Sequence, residues 1–147
     1  MPNKSNNKMR NFFTNLTVIN RADQIRAEYG IISPDLIRSI TFNKVLVDRK
    51  TTTLCLPRDA IAQLGLKLFK EVDVATAMGI GKARIFRDAS ISLFGREGTF
   101  ECLELAASGD PLLGVIPLDF LGLEIDLKNQ TLKPLPMSPT ESYLTIL

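Results

Sequence analysis

Val45-Leu46-Val47-Asp48-Arg49-Lys50-Thr51-Thr52-Thr53-Leu54-Cys55-Leu56-Pro57 is an apolar run, a polar turn and a second apolar run that Pro57 stops. The first run is β-type and ends in one carboxylate, Asp48. An acid set between runs that will be buried is costly unless something satisfies it or uses it. Reading the stretch as strand, turn, strand fixes how the flanking sequence must be organised.

Upstream, Ile40 to Val47 reads as the strand that enters the turn. Before it, Ser33-Pro34 is a helix-start signal, Ser as N-cap and Pro at the first helical position, with room for only a short turn. Arg21 to Gly30 is polar and reads as a strand extension or a loop. From Phe12 to Asn20 the residues alternate, with Phe12, Thr14, Leu16 and Val18 on one side and Phe13, Asn15, Thr17 and Ile19 on the other. That is the period of a strand. Residues 1–10 are polar and are expected to form a disordered tail.

Downstream, Thr52 to Leu56 reads as a strand and Pro57 starts a helix that runs to Leu64, with Gly65 closing it. Val72 to Ala77 and Ala83 to Phe86 are strand runs around the turn Met78-Gly79-Ile80-Gly81. Ile91 to Phe94 and Thr99 to Leu105 form a hairpin through Gly95-Arg96-Glu97-Gly98, with Arg96-Glu97 as an exposed pair. Leu112 to Ile116 reads as a buried strand containing Gly114. Pro117 starts a short helix that Gly122 ends. Leu123 to Leu127 and Thr131 to Leu135 are joined by a turn at Lys128-Asn129-Gln130. In residues 137–147, Tyr143, Leu144, Ile146 and Leu147 make a strand-prone tail, expected to pair with the body or with a partner chain. Many short strands with close turns predict an all-β closed barrel over residues 11–136, with short helices near 58–64 and 118–121. Leu56 to Leu66 and Ile116 to Leu123 repeat one pattern of strand, Pro-initiated helix, Gly stop and Leu, which suggests two related halves.

Composition narrows the chemistry. A chain of 147 residues is one domain with a real core. Its formal net charge is +2 and its basic residues are scattered, so nucleic acid is not an expected partner. Asp119 and Glu124 interrupt the best apolar run, Leu112 to Ile125, so no membrane span is expected and cytoplasm is the default location. The sequence has no His, which removes Ser-His and Cys-His nucleophiles and His-ligated metal sites. Cys55 and Cys102 read as buried, reduced thiols rather than a disulfide or a metal pair. No metal and no cofactor is expected. Asp119 and Asp126 read as solvated charges.

The Asp48 stretch resembles the active-site loop of retropepsin-like aspartic proteases, which runs apolar, apolar, Asp, Thr or Ser, Gly, Ala. Leu46, Val47 and Asp48 match. Arg49 and Lys50 replace the hydroxyl residue and the glycine, and Thr51 replaces the Ala. Other parts resemble the family in order: Met78, Gly79, Ile80 and Gly81 where a flap hairpin would close over substrate, and Leu112-Leu113-Gly114 where the second half carries apolar, apolar, Gly before a short helix. The resemblance covers roughly Phe12 to Pro136. It implies a homodimer that binds a peptide or protein, each chain giving one catalytic Asp, here Asp48.

The chemistry explains why that loop is constrained. Two carboxylates about 3 Å apart cannot both ionise, so they share one proton and together activate water for peptide hydrolysis. In the family the hydroxyl locks the two loops together and the glycine lets its N–H approach the carboxylate. Arg49 lacks the hydroxyl, Lys50 adds a Cβ and a charge, and a dimer would place two of each beside the acids. Positive charge favours both anions. The expectation is an aspartic endopeptidase homologue, with Thr51 in the loop-supporting position, whose activity is weakened or lost. Two alternatives stand beside it. One is a non-catalytic dimer that holds an extended peptide by strand addition. The other is a swapped-hairpin DNA-binding regulator, which Thr53 to Val74 resembles. The bland reading of Asp48 is a surface carboxylate paired with Arg49 or Lys50.

Overall fold

The alternation of the first strand carries directly into three dimensions. In the computed structural model, which describes residues 12–106 and 109–135, β1 (Phe12–Asn20) buries Phe12, Leu16, Val18 and Asn20 and exposes Phe13 and Asn15. The polar stretch after it is neither a strand extension nor a loop: it is a helix, α1 (Arg21–Glu28). Its one buried side chain is Asp23, so it has no apolar stripe for a pattern to reveal. Capping sets it instead: Asn20 Oδ1 accepts the Asp23 N–H at 2.9 Å. The Ser33-Pro34 signal produces one short 3₁₀ turn, Pro34–Leu36.

β2 (Ser39–Val47) returns antiparallel along β1. β3 (Leu54–Pro57), α2 (Arg58–Leu64), β4 (Lys67–Thr76), β5 (Gly79–Leu93) and β6 (Arg96–Leu105) follow. The runs read as short separate strands around Met78–Gly81 are two long ones, because β5 absorbs both Ala83 to Phe86 and the start of the next hairpin. β5 pairs with β4 through its first half, with β6 through its second, and with β1 at Ala89 to Ser92. The pairings run β1-β2-β7-β3-β6-β5 and return to β1, where β7 is Leu112–Leu113. This ring of strands closes on itself, with β4 appended outside it. Leu16, Val18, Val45, Val47, Leu54, Ile91, Cys102 and Leu113 fill its interior at 0–1% exposure.

Three further local readings change. The β5–β6 turn is the pair Phe94-Gly95, both at positive φ (55° and 73°), with Leu93 opposite Arg96; this is the tight hairpin geometry that matches strand twist. Arg96 therefore lies inside a strand. It is 9% exposed, and its guanidinium donates to the carbonyls of Leu121, Gly122 and Leu135 at 2.7–2.9 Å. It is not an exposed turn residue. Finally, the apolar run at Leu112 is strand only to Leu113, and α3 (Val115–Phe120) starts ahead of Pro117.

α2 and α3 each end at a glycine in the left-handed region, Gly65 (φ 66°) and Gly122 (φ 65°), as the repeated pattern requires. β8 (Leu123–Asp126) and β9 (Thr131–Pro134) form a separate hairpin. Among the described residues no helix is long and apolar enough to cross a membrane. The expected N-terminal tail and the tail at 137–147 lie outside the described residues.

Candidate functional site

Asp48 sits one residue beyond β2. Its N–H donates to Leu113 O at 3.1 Å, and its carbonyl accepts the Thr51 N–H at 3.2 Å, which closes the turn. The carboxylate folds back into this turn. Oδ1 accepts the Lys50 N–H at 2.9 Å and Oδ2 accepts the Thr51 hydroxyl at 2.9 Å. The Lys50 Cβ thus does not obstruct the backbone approach to the acid: the residue is exposed and its N–H reaches the carboxylate. Thr51 supplies a hydroxyl and directs it to Asp48 of its own loop. The side chains of Arg49 and Lys50 form no ion pair with Asp48, which is half-buried, so the surface-pair reading of this acid fails.

Leu112, Leu113 and Gly114 are brought against this loop. Leu46 pairs with Leu112 and Val47 with Leu113 in parallel register. Beyond them, the Val115 and Ile116 N–H groups donate to Thr51 O and Thr52 O, each at 2.9 Å. These bonds satisfy donors that a helix start leaves free, and they explain why α3 begins before its proline. Glycine is required at 114. A Cβ there would stand 2.5 Å from Thr53 O and 2.7 Å from Thr53 N, both backbone atoms.

The residues expected to form a flap lie at the β4–β5 turn. Met78 is 98% and Ile80 82% exposed. The tip is held by Thr76, whose hydroxyl donates to Gly79 O at 2.7 Å and accepts the Met78 N–H at 3.2 Å. Gly79 has φ 113°, which only glycine adopts readily. No hydrogen bond among the described residues joins this tip to the Asp48 loop.

Register places an apolar row beside Asp48. Leu46 is opposite Leu112, Leu112 opposite Cys55, Cys55 opposite Leu103, and Leu103 opposite Ile85. Directly paired residues share a sheet face. The other face carries Val47, Leu113, Leu54 and Cys102, all fully buried in the barrel core. On the outer row, Leu46, Leu112 and Leu103 are only half-buried. The Cys55 thiol is pushed up to about 11 by burial and then by the charge of Asp48, which places the acid near this row. Burial pushes Cys102 up to about 12. Both cysteines are free and buried, as expected.

Two other acids, Asp126 and Asp23, have structural tasks. Asp126 accepts from Lys128 and Asn129 in the β8–β9 turn, and the Asn129 side chain holds it below the usual carboxylate value. Asp119 is exposed on α3. A polar centre that pattern reading missed surrounds Asp23. It accepts from Arg38 Nε at 2.8 Å, from Arg38 Nη2 and N–H at 3.0 Å each, and from Arg26 at 3.0 Å.

The sequence matches no protein-family profile and no curated protein. Solved structures do match. EIAV protease complexed with the inhibitor HBY-793 aligns with a TM-score of 0.50 and 18% identity, over 76% of this chain and 89% of that one. The retroviral protease-like domain of Ddi1 from Leishmania major aligns with a TM-score of 0.50 and 15% identity, over 83% of this chain and 86% of that one. The fold is retropepsin-like. Within that fold, the Asp48–Thr51 turn and the Leu113–Ile116 segment form one hydrogen-bonded unit, and the turn that carries Arg49 and Lys50 has a defined shape.

Proposed function

We propose that the protein is a homodimeric, retropepsin-like peptide-binding module whose two Asp48 loops face one another across a two-fold axis, with endopeptidase activity weakened or lost. The observation that supports this best is the Asp48 loop. Its carboxylate is held by two donors of its own chain, while two cationic side chains stand exposed beside it. Hydrolysis of a peptide by this route needs two acids sharing one proton, and a chain with one such loop needs a second copy to supply the other. In that dimer two arginines and two lysines favour both anions, and water loses its general base–acid pair. Any residual cleavage would use Asp48 as general acid and base.

The DNA-binding alternative gains no support from the barrel. β3, which opens the segment that resembles such regulators, is paired on both sides within the chain, with β6 and β7.

The test is direct. The unaltered chain should sediment as a dimer and cleave a peptide library poorly from acid to neutral pH. Arg49→Thr with Lys50→Gly removes the added charge and restores the hydroxyl, and should create or raise cleavage with an acidic optimum. Asp48→Asn in that background should abolish it. Robust Asp48-dependent cleavage by the unaltered chain would overturn the loss of activity, and a strictly monomeric protein would overturn the shared cleft.

A further inference from the structure

We propose that Arg49 and Lys50 make this cleft selective for acidic peptides, a ligand carboxylate docking on the two cationic heads while adjacent apolar side chains lie over Leu46, Leu112 and Leu103. The inference rests on the peptide-binding reading of the same site and names the ligand class.

Internal pairing has already been settled elsewhere in the molecule. Arg21 pairs with Glu28, Lys82 with Asp73 and Arg84 with Glu104. Arg49 and Lys50 directly follow an acid and still do not pair with it. Both oxygens of Asp48 are taken by the Lys50 N–H and the Thr51 hydroxyl. Among the described residues these two are the cations adjacent in sequence that have no carboxylate partner; Lys67 and Arg87, opposite one another on β4 and β5, also lack one. Their backbone is fixed as well, because Thr51 O and Thr52 O accept from the start of α3 and Asp48 N–H is tied to Leu113 O. The backbone that carries the two cations is thus ordered before a ligand arrives, so binding has only the side chains to order and costs less than ordering a free loop.

The surroundings select among anions. Half-buried Leu46, Leu112 and Leu103 belong to the apolar row near the loop, with buried Cys55 between the last two, and half-exposed Ile116 bonds through its N–H to Thr52 O. Bare phosphate has nothing to place there. A nucleic-acid backbone takes its affinity from many phosphate contacts, more than one cation pair per chain provides. An extended peptide alternates side chains and can set apolar groups on the row and a glutamate or aspartate on the loop.

The experiment uses the full chain and three peptides with one apolar four-residue core and the same uncharged fluorophore, flanked by glutamates, serines or lysines. Fluorescence anisotropy should rank them glutamate, serine, lysine. The glutamate peptide should lead serine by roughly three- to tenfold at low salt, the range expected of exposed ion pairs. That lead should shrink in about 0.5 M salt, where charges are screened beyond a few ångströms. R49Q/K50Q should erase it and R49K/K50R should keep it. The salt titration of the unaltered chain decides the matter even if a variant misfolds. Equal binding of the glutamate and serine peptides would overturn charge selection and leave the cleft reading standing. No binding of any peptide would overturn both. A 12-base oligonucleotide binding more tightly than the glutamate peptide would overturn the ligand class.

Discussion

Asp23 lies three residues beyond β1 and Asp48 one residue beyond β2, and each accepts a backbone N–H and a side-chain donor. Their surroundings differ. The Asp23 side chain is 3% exposed and is held by the forked Arg38 guanidinium and by Arg26. Asp48 is half-buried and held by neutral donors, with Arg49 and Lys50 beside it and paired with no carboxylate among the described residues. A carboxylate taken almost fully from water needs its charge matched, because an uncompensated buried ion is very costly. One left half in water needs only hydrogen bonds, and the cations nearby stay available. The first arrangement is closed and structural, tying α1 to the start of β2. The second is open on one side, which is the condition for a site.

The sharpest way to break that contrast is Asp23→Ala. It leaves two arginines without their acid and removes the fork that anchors α1. A loss of about 3 kcal/mol is expected, the lower end of the range for one-sided removal of a buried pair, because both arginines reach solvent. Urea unfolding measures it. A loss no greater than that of a surface pair would show that Asp23 is not the closed centre described.

Next in size is Gly114→Ala. The new Cβ would meet the backbone of Thr53, which has no flexible end to give way. Overpacking of this kind costs about 2 kcal/mol. It should also weaken peptide binding, since the displaced segment carries Asp48's turn. A stable variant with unchanged binding would uncouple the Leu112–Gly114 segment from the loop.

Asp23 and the two buried thiols also predict a pH profile. Hydrogen bonds from Arg38 hold Asp23 below its ordinary value of 3.8. The unfolded chain then binds its proton first on acidification. Stability from this group is present above about pH 4 and is lost as pH falls through the folded value. Asp23→Asn should flatten the acid limb of a stability curve, and an unaltered limb would assign it to other groups. At the alkaline end the sign reverses. With Cys55 raised to about 11 and Cys102 to about 12 from an ordinary 9.0, the unfolded thiols ionise first and stability falls above pH 9. Replacing both with Ala should flatten that limb.

What the sequence revealed, and what it did not, divides along a physical line. β1, the Pro57 to Gly65 helix and the turn at Asp48 were legible because each is encoded by neighbouring residues: alternation, a helix stop, an acid between apolar runs. The features missed depend on distant partners. α1 has no apolar stripe and is fixed by Asn20 and by Arg38, fifteen residues from Asp23. The start of α3 is drawn forward by carbonyls at Thr51 and Thr52. Arg96 looked like a turn charge beside Gly95, yet its carbonyl partners come from residues 121–135. At the site itself, the Thr run after Lys50 was the available sign of a hydroxyl close to the acid. Only the structure shows that it returns to its own Asp48.

The smallest expected effect tests that return. Thr51→Val keeps the side-chain shape and removes the hydroxyl that donates to Asp48 Oδ2 at 2.9 Å. A hydrogen bond to a charged acceptor contributes more than a neutral one, but water can reach a half-buried carboxylate and replace the donor, so the loss should be about 1 kcal/mol. A double-mutant cycle with Asp48→Asn isolates the term. Coupling near that size would show that Thr51 holds this acid in place, and the same cycle on Asp23 and Arg38 should give a larger value because less water reaches that pair. Zero coupling between Thr51 and Asp48 would make the turn an ordinary solvated loop. The contrast between a closed acid and an open, positioned one would then fail on the side that matters for function.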